Sequence, residues 1–131
     1  MNIGELARRS GLTAKMIRYY EKIDLISVPI RSASGYRVYT EQDLSTLSFI
    51  KHAKDLGFSI DQIKSLVELW KNPDRKSADV KKITDQHIHF LTEQIHSMQS
   101  MILKLKAASQ MCSNDSTSNC SILNKIEHIQ S

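Results

Sequence analysis

Two cysteines, Cys112 and Cys120, bracket seven small, polar, turn-forming residues near the carboxyl end of the chain. Such a loop can fold back and bring both sulfurs to one point with little bulk in the way. Paired thiolates are soft donors and favour a soft ion. They carry two negative charges, so a monovalent ion leaves the site at −1, which a helix end or backbone donors could offset. A divalent ion in a closed site usually takes four ligands, and the sequence holds no third cysteine. His87, His89 and His96 lie well before the loop and read as surface or seam-flanking residues; His128 is nearer in sequence. From spacing alone the pair is open to three readings: a soft-metal site, a redox couple, or thiols with no special role.

A second set of residues suits nucleic acid. Lys15, Arg18 and Tyr19 fall on the outward side of a short helical segment whose Met16, Ile17 and Tyr20 turn inward. Arginine can fork to a guanine edge or a phosphate, while lysine and a tyrosine hydroxyl position the backbone. Arg31, Tyr36 and Arg37 follow in a segment rich in serine and glycine. Both groups equally describe a two-helix corner with a solvated basic face and a structural hairpin, Tyr39 packing on the helices.

The elements that must position these groups can be read along the chain. Ile3, Leu6 and Ala7 recur at helical spacing up to Gly11, and Thr13 stands as N-cap before Ala14–Glu21. Two short helices joined by a tight glycine turn read as a helix-turn-helix. Strand-like Leu25-Ile26 and Tyr36–Tyr39 flank a Ser/Gly turn and predict a wing. Thr40, with Asp43 three positions on, opens a further helix as an acidic capping box. Leu56-Gly57-Phe58 ends it, and Ser59 caps a helix with the stripe Ile63, Leu66, Val67 and Trp70. These two helices read as architectural, with His52 and Lys54 solvated.

After the Pro73 break, Ser77 is a cap or near-cap, and no Gly or Pro occurs from Ala78 to Met111. A helix of that length would run about 50 Å. Ile88, Leu91, Ile95, Met98, Ile102 and Leu105 step by alternating threes and fours, a heptad seam. A second copy of the same helix is the economical partner for it. The expected organisation is therefore a DNA-binding unit at 1–71, a dimerisation helix at 77–111, and a loop with a short terminal helix at 112–131. Two-fold symmetry would set two amino-terminal units on a pseudo-palindromic duplex.

Composition agrees with a DNA partner without proving one. The 131 residues carry a formal charge of +4, with nine basic against six acidic residues over 1–60 and nine against eight thereafter. No apolar run reaches the roughly 18 residues of a membrane span. The opening Met1–Glu5 has no basic-apolar leader, so a cytoplasmic, membrane-free protein is expected, with its cysteines as thiols. An enzyme is not indicated: there is no Gly-rich phosphate loop, no carboxylate pair with cleft signals, and no acid–base partner for either cysteine in sequence.

Asn2–Ala7, Gly11–Glu21, Ser34–Tyr39 and Asp55–Ser59 together resemble the mercury-resistance-regulator (MerR) family, over almost the whole chain. Within it, Ser77-Ala78-Asp79-Val80 and the Cys112/Cys120 spacing look most like the copper-efflux branch. The resemblance implies a mainly α fold, a winged helix-turn-helix DNA-binding domain followed by a long antiparallel coiled-coil dimerisation helix. It implies that Cys112 and Cys120 hold Cu(I), or Ag(I) or Au(I), almost linearly. Relatives sensing divalent ions typically carry cysteine where this chain has Ser77, so Ser77 is the expected metal-selectivity position. Members often have proline after the second cysteine; here Ser121 stands there, which is expected to loosen the turn.

The resemblance also implies a mechanism. The dimer occupies an overlong promoter spacer, and metal binding changes a repressing DNA shape into one that RNA polymerase can engage. An effector does so only by binding the activating conformation more tightly. The expected function is metal-responsive activation of copper, silver or gold detoxification genes through double-stranded promoter DNA. A redox-sensing or divalent-metal-sensing regulator is the alternative, and a metal carrier the reading that gives the DNA-binding half no role.

Overall fold

The computed structural model describes residues 1–116, 118 and 120–129. Thr117 and Asn119 of the polar loop, and the last two residues of the expected 112–131 segment, lie outside the described residues. The chain forms two compact units, Met1–Ile83 and a second from Thr84 onward.

In the first unit, α1 (Ile3–Ser10) starts at Asn2, whose side chain accepts from the Glu5 N–H at 2.8 Å. Gly11 ends it at φ +73, a left-handed conformation that a Cβ would strain. Thr13 caps α2 (Ala14–Lys22), accepting from the Met16 N–H at 3.1 Å. The chain then departs from the sequence expectation. Leu25 and Ile26 are not a strand: Asp24 turns left-handed at φ +60, and the Leu25 N–H donates back to Tyr20 O at 2.9 Å. Both side chains are buried instead, because the turn drives them beneath α2 into the core.

The wing pairs β1 (Ile30–Arg31) with β2 (Arg37–Val38), antiparallel, Ile30 opposite Val38 and Arg31 opposite Arg37. Gly35, at φ +84, makes the tip. Helix α3 (Glu41–Asp55) opens with the Thr40/Asp43 capping box, and α4 (Ile60–Lys71) with a Ser59/Gln62 box. Arg9 forks onto Glu41 at 2.7 and 3.1 Å, tying α1 to α3. Leu6, Ile17, Tyr20, Leu47, Ile50 and Ile63 are fully buried between the helices, and Trp70 stacks on Phe49 with ring centroids 4.4 Å apart.

Helix α5 spans Ser77–Gln110, with Ser77 as its first helical residue rather than its cap. In the second unit α6 (Ser121–Glu127) returns along the end of α5. Ile122, Ile126 and Ile129 line an apolar groove with Met101, Leu105 and Ala108. Among the described residues no helix is long and apolar enough to cross a membrane.

Candidate functional site

Helix α2 exposes Lys15, Arg18 and Tyr19, as its inward Ile17 and Tyr20 require. The wing exposes Arg31 and Tyr36 and leaves Arg37 half-buried. Arg18, Arg31, Tyr36 and Arg37 line one cleft of about 500 Å³, with the start of α1 as its floor. Lys15 and Tyr19 do not line it. Three guanidiniums and a phenol from two elements therefore converge, a donor set fitted to phosphate oxygens. Arg31 is already oriented, its Nη1 donating to Gly35 O at 2.9 Å.

Arg37 is held from behind. Its Nη1 lies 3.3 Å from Oε2 of Glu21, a carboxylate on α2 that is almost wholly buried. The Tyr39 hydroxyl donates to the other oxygen, Glu21 Oε1. Burial, reinforced by Glu21, pushes the Tyr39 phenol up to about 12, so it stays protonated and donating. Glu21 is the residue that reading the sequence missed, since a charged side chain at a helix end is usually solvated. The signal was present: Glu21 stands four positions after Ile17 and one after Tyr20, in phase with the buried face.

In the second unit Cys112 and Cys120 are both half-buried free thiols. Cys120 occupies the position before α6. The Leu123 N–H, then that of Ile122 and the Cys112 thiol, hold the Cys120 thiol below its ordinary range, burial opposing them. The side chain does not close a cap hydrogen bond, so these N–H groups act by proximity and direction, favouring the thiolate. The Cys112 thiol is thus among the groups that act on the Cys120 thiol. Among the described residues no group of three His, Cys, Asp or Glu forms that could hold an ion, so His128 does not join the pair. His87, expected at the surface or flanking the seam, is buried.

At Ser121, where the turn was expected to loosen, the side chain makes a bond of its own. Its hydroxyl donates to Ala108 O at 2.7 Å, lacing the start of α6 to the last turns of α5, a bond that proline could not make. Ser77 begins α5 in the first unit and is exposed.

A helix-turn-helix whose second helix shares a basic cleft with a β-wing defines a winged DNA-binding protein. The chain belongs to the MerR family: the model of MerR HTH family regulatory proteins matches residues 1–69, and that of the MerR DNA-binding region matches 44–108. It is 48% identical over 94% of its length to an uncharacterized HTH-type transcriptional regulator of Pseudomonas aeruginosa, 93% of which is covered. It is 45% identical to heavy metal-dependent transcription regulator 2 of Rhizobium meliloti, covering 96% of this chain and 86% of that one. The transcription regulator PbrR691 of Ralstonia metallidurans CH34, solved in complex with lead(II), superposes with a TM-score of 0.86 at 27% identity, covering 96% and 98% of the two chains. The protein is therefore a transcriptional regulator and not an enzyme.

Proposed function

We propose that the protein is a homodimeric, metal-responsive activator that acts on double-stranded promoter DNA with RNA polymerase, in the cytoplasm, and that its effector is a soft monovalent ion, Cu(I) or the related Ag(I) or Au(I). The observation that carries the metal reading is the sulfur pair: the Cys120 thiol before α6 is held below its ordinary range by the Leu123 N–H first, and the Cys112 thiol adds to that effect. Two soft donors fit a monovalent d10 ion and fall short of the four ligands that a closed divalent site takes. Cys112 and Cys120 would hold the ion, which supplies a cross-link between the sulfurs and cancels one of their two charges. Ser77 tunes selectivity by withholding a third thiolate.

The chain's own residues supply the rest. Lys15, Arg18, Tyr19, Arg31, Tyr36 and Arg37 form the DNA face of a unit over 1–71. The helix over 77–111 joins two copies, a reading supported by its seam, whose six residues are 40–59% exposed. The 112–131 segment senses, and Ser121 with the apolar face of α6 holds the loop to α5 so that a change at the sulfurs reaches the helix.

The test is transcription from a promoter that the protein binds, under reducing conditions, titrated separately with Cu(I), Ag(I), Zn(II) and Hg(II). Cu(I) and Ag(I) are expected to induce. Cys112→Ser and Cys120→Ser should abolish induction while leaving DNA affinity within about twofold, well under 1 kcal/mol. Ser77→Cys should raise the response to Zn(II) relative to Cu(I). Induction by Zn(II) alone in the parent would point to a divalent sensor, and induction by oxidant without metal to a redox sensor.

A further inference from the structure

The buried carboxylate of Glu21 is not consumed by folding alone. A charge so enclosed is costly unless it is paired and hydrogen-bonded, and both its oxygens are engaged, one by Tyr39 and one by Arg37. The pairing bridges two elements: Glu21 stands in the last turn of α2, about one turn after Arg18, while Arg37 and Tyr39 belong to the returning side of the wing. Arg37 also stands directly across the hairpin from Arg31. Like charges in that position repel, and Glu21 is the anion that offsets them. The Arg37 side chain is about one-third exposed, with Nη1 turned to Glu21, and it still lines the cleft shared with Arg18 and Arg31.

A guanidinium is a rigid fork. With one nitrogen fixed on Glu21, the direction of its other donors is set before any ligand arrives, and less side-chain freedom is lost on binding. We propose that Glu21, itself fixed by the Tyr39 hydroxyl, is a positioning residue for DNA recognition: it orients Arg37 from α2 so that wing and recognition helix present one phosphate-binding cleft. This rests on the reading of Arg37 as a DNA contact. It assigns no contact with DNA to Glu21, which acts only through Arg37.

The experiment is a double-mutant cycle on the full-length protein, with the duplex that the parent selects from a random-sequence pool. Affinity is measured by anisotropy between about 50 and 200 mM salt, the range over which phosphate contacts declare themselves. Arg37→Ala is expected to weaken binding roughly tenfold or more, as loss of a charged hydrogen bond does, and to lower the salt slope by about one. Glu21→Gln should weaken binding and lower the slope in the same way, and should cost nothing further in the Arg37→Ala background. Tyr39→Phe, which keeps the core volume, should give a smaller loss that also vanishes in that background.

Additive losses would overturn the inference, because Glu21 would then act through overall stability. So would unchanged affinity in both Glu21→Gln and Tyr39→Phe, or tighter binding with a steeper slope, which would make Glu21 merely a neutralising charge. If Glu21→Gln does not fold, the Tyr39→Phe arm decides by the same criterion. A parent that selects no sequence overturns the promoter reading and this inference together; a selective parent with additive losses overturns the inference alone.

Discussion

The two units of the molecule solve burial differently. From Met1 to Ile83, each short helix finds a neighbour: six large side chains are fully enclosed, and Leu25, Ile26 and Tyr39 are buried in the same core. From Thr84 onward, only His87 and Ala108 are buried among the described residues, while Ile88, Phe90, Leu91, Ile95, Met98, Met101, Ile102, Leu103 and Leu105 stay open to solvent. A single exposed leucine needs no explanation, but a continuous apolar stripe marks an interface. The first unit therefore has what a domain needs, and the second has half of what an assembly needs. Reading DNA requires a rigid surface; pairing two readers requires a face that is incomplete alone.

The hardest test of that contrast is to make the second unit polar. Leu91→Glu with Ile95→Glu should convert dimers to monomers in analytical ultracentrifugation and weaken binding to a two-fold duplex by about a hundredfold or more, the advantage that linked modules provide. The first unit should keep its near-native circular dichroism. A variant that remains dimeric would remove the seam from the interface.

A buried residue of the first unit should behave oppositely. Leu47 is wholly enclosed, so Leu47→Ala is expected to cost about 2–5 kcal/mol. Measured by urea unfolding in the seam-disrupted background, that cost should be independent of protein concentration. Loss of an interface shows itself as concentration dependence instead. A concentration-dependent Leu47→Ala penalty would mean that the first unit, too, leans on the partner.

The sequence disclosed the two halves unequally. Caps were legible because they are local: Thr13, the Thr40/Asp43 box and Ser59 each stand where the side chain meets an orphan N–H, and the structure closes all three. The long helix was legible because an unbroken run without Gly or Pro reveals it, and the structure forms it over Ser77–Gln110. What period cannot reveal is direction after a turn: the apolar Leu25-Ile26 pair looks like a strand, and only the left-handed Asp24 sends it into the core. Glu21 escaped because its partners, Arg37 and Tyr39, lie 16 and 18 residues on and are recruited by the wing. At the thiol site the spacing singled out the two cysteines, but the donors that lower the Cys120 thiol's pKa come from the backbone of α6, which no side-chain pattern encodes.

The smallest expected effect probes how complete the first unit's core is. Tyr20 is fully buried, its ring 5.9 Å from that of Tyr19, yet its hydroxyl has no hydrogen-bond partner among the described residues. Tyr39, the other buried tyrosine, donates a hydrogen bond to Glu21. The two phenols thus differ in one respect that a single oxygen atom tests. Leaving a buried hydroxyl unpaired costs about 1–3 kcal/mol, whereas removing it with the ring intact leaves only a small space. Tyr20→Phe should therefore hold stability or raise it by about 1 kcal/mol, with DNA affinity unchanged because the hydroxyl faces the core and not the cleft. Tyr39→Phe should lower stability by a similar amount, since it strips a donor from a buried carboxylate. The two variants compared in one urea titration carry the argument: opposite signs mean that the core tolerates a flaw at Tyr20 and depends on the bond at Tyr39. A Tyr20→Phe loss exceeding about 1 kcal/mol would show that the Tyr20 hydroxyl is bonded in solution after all.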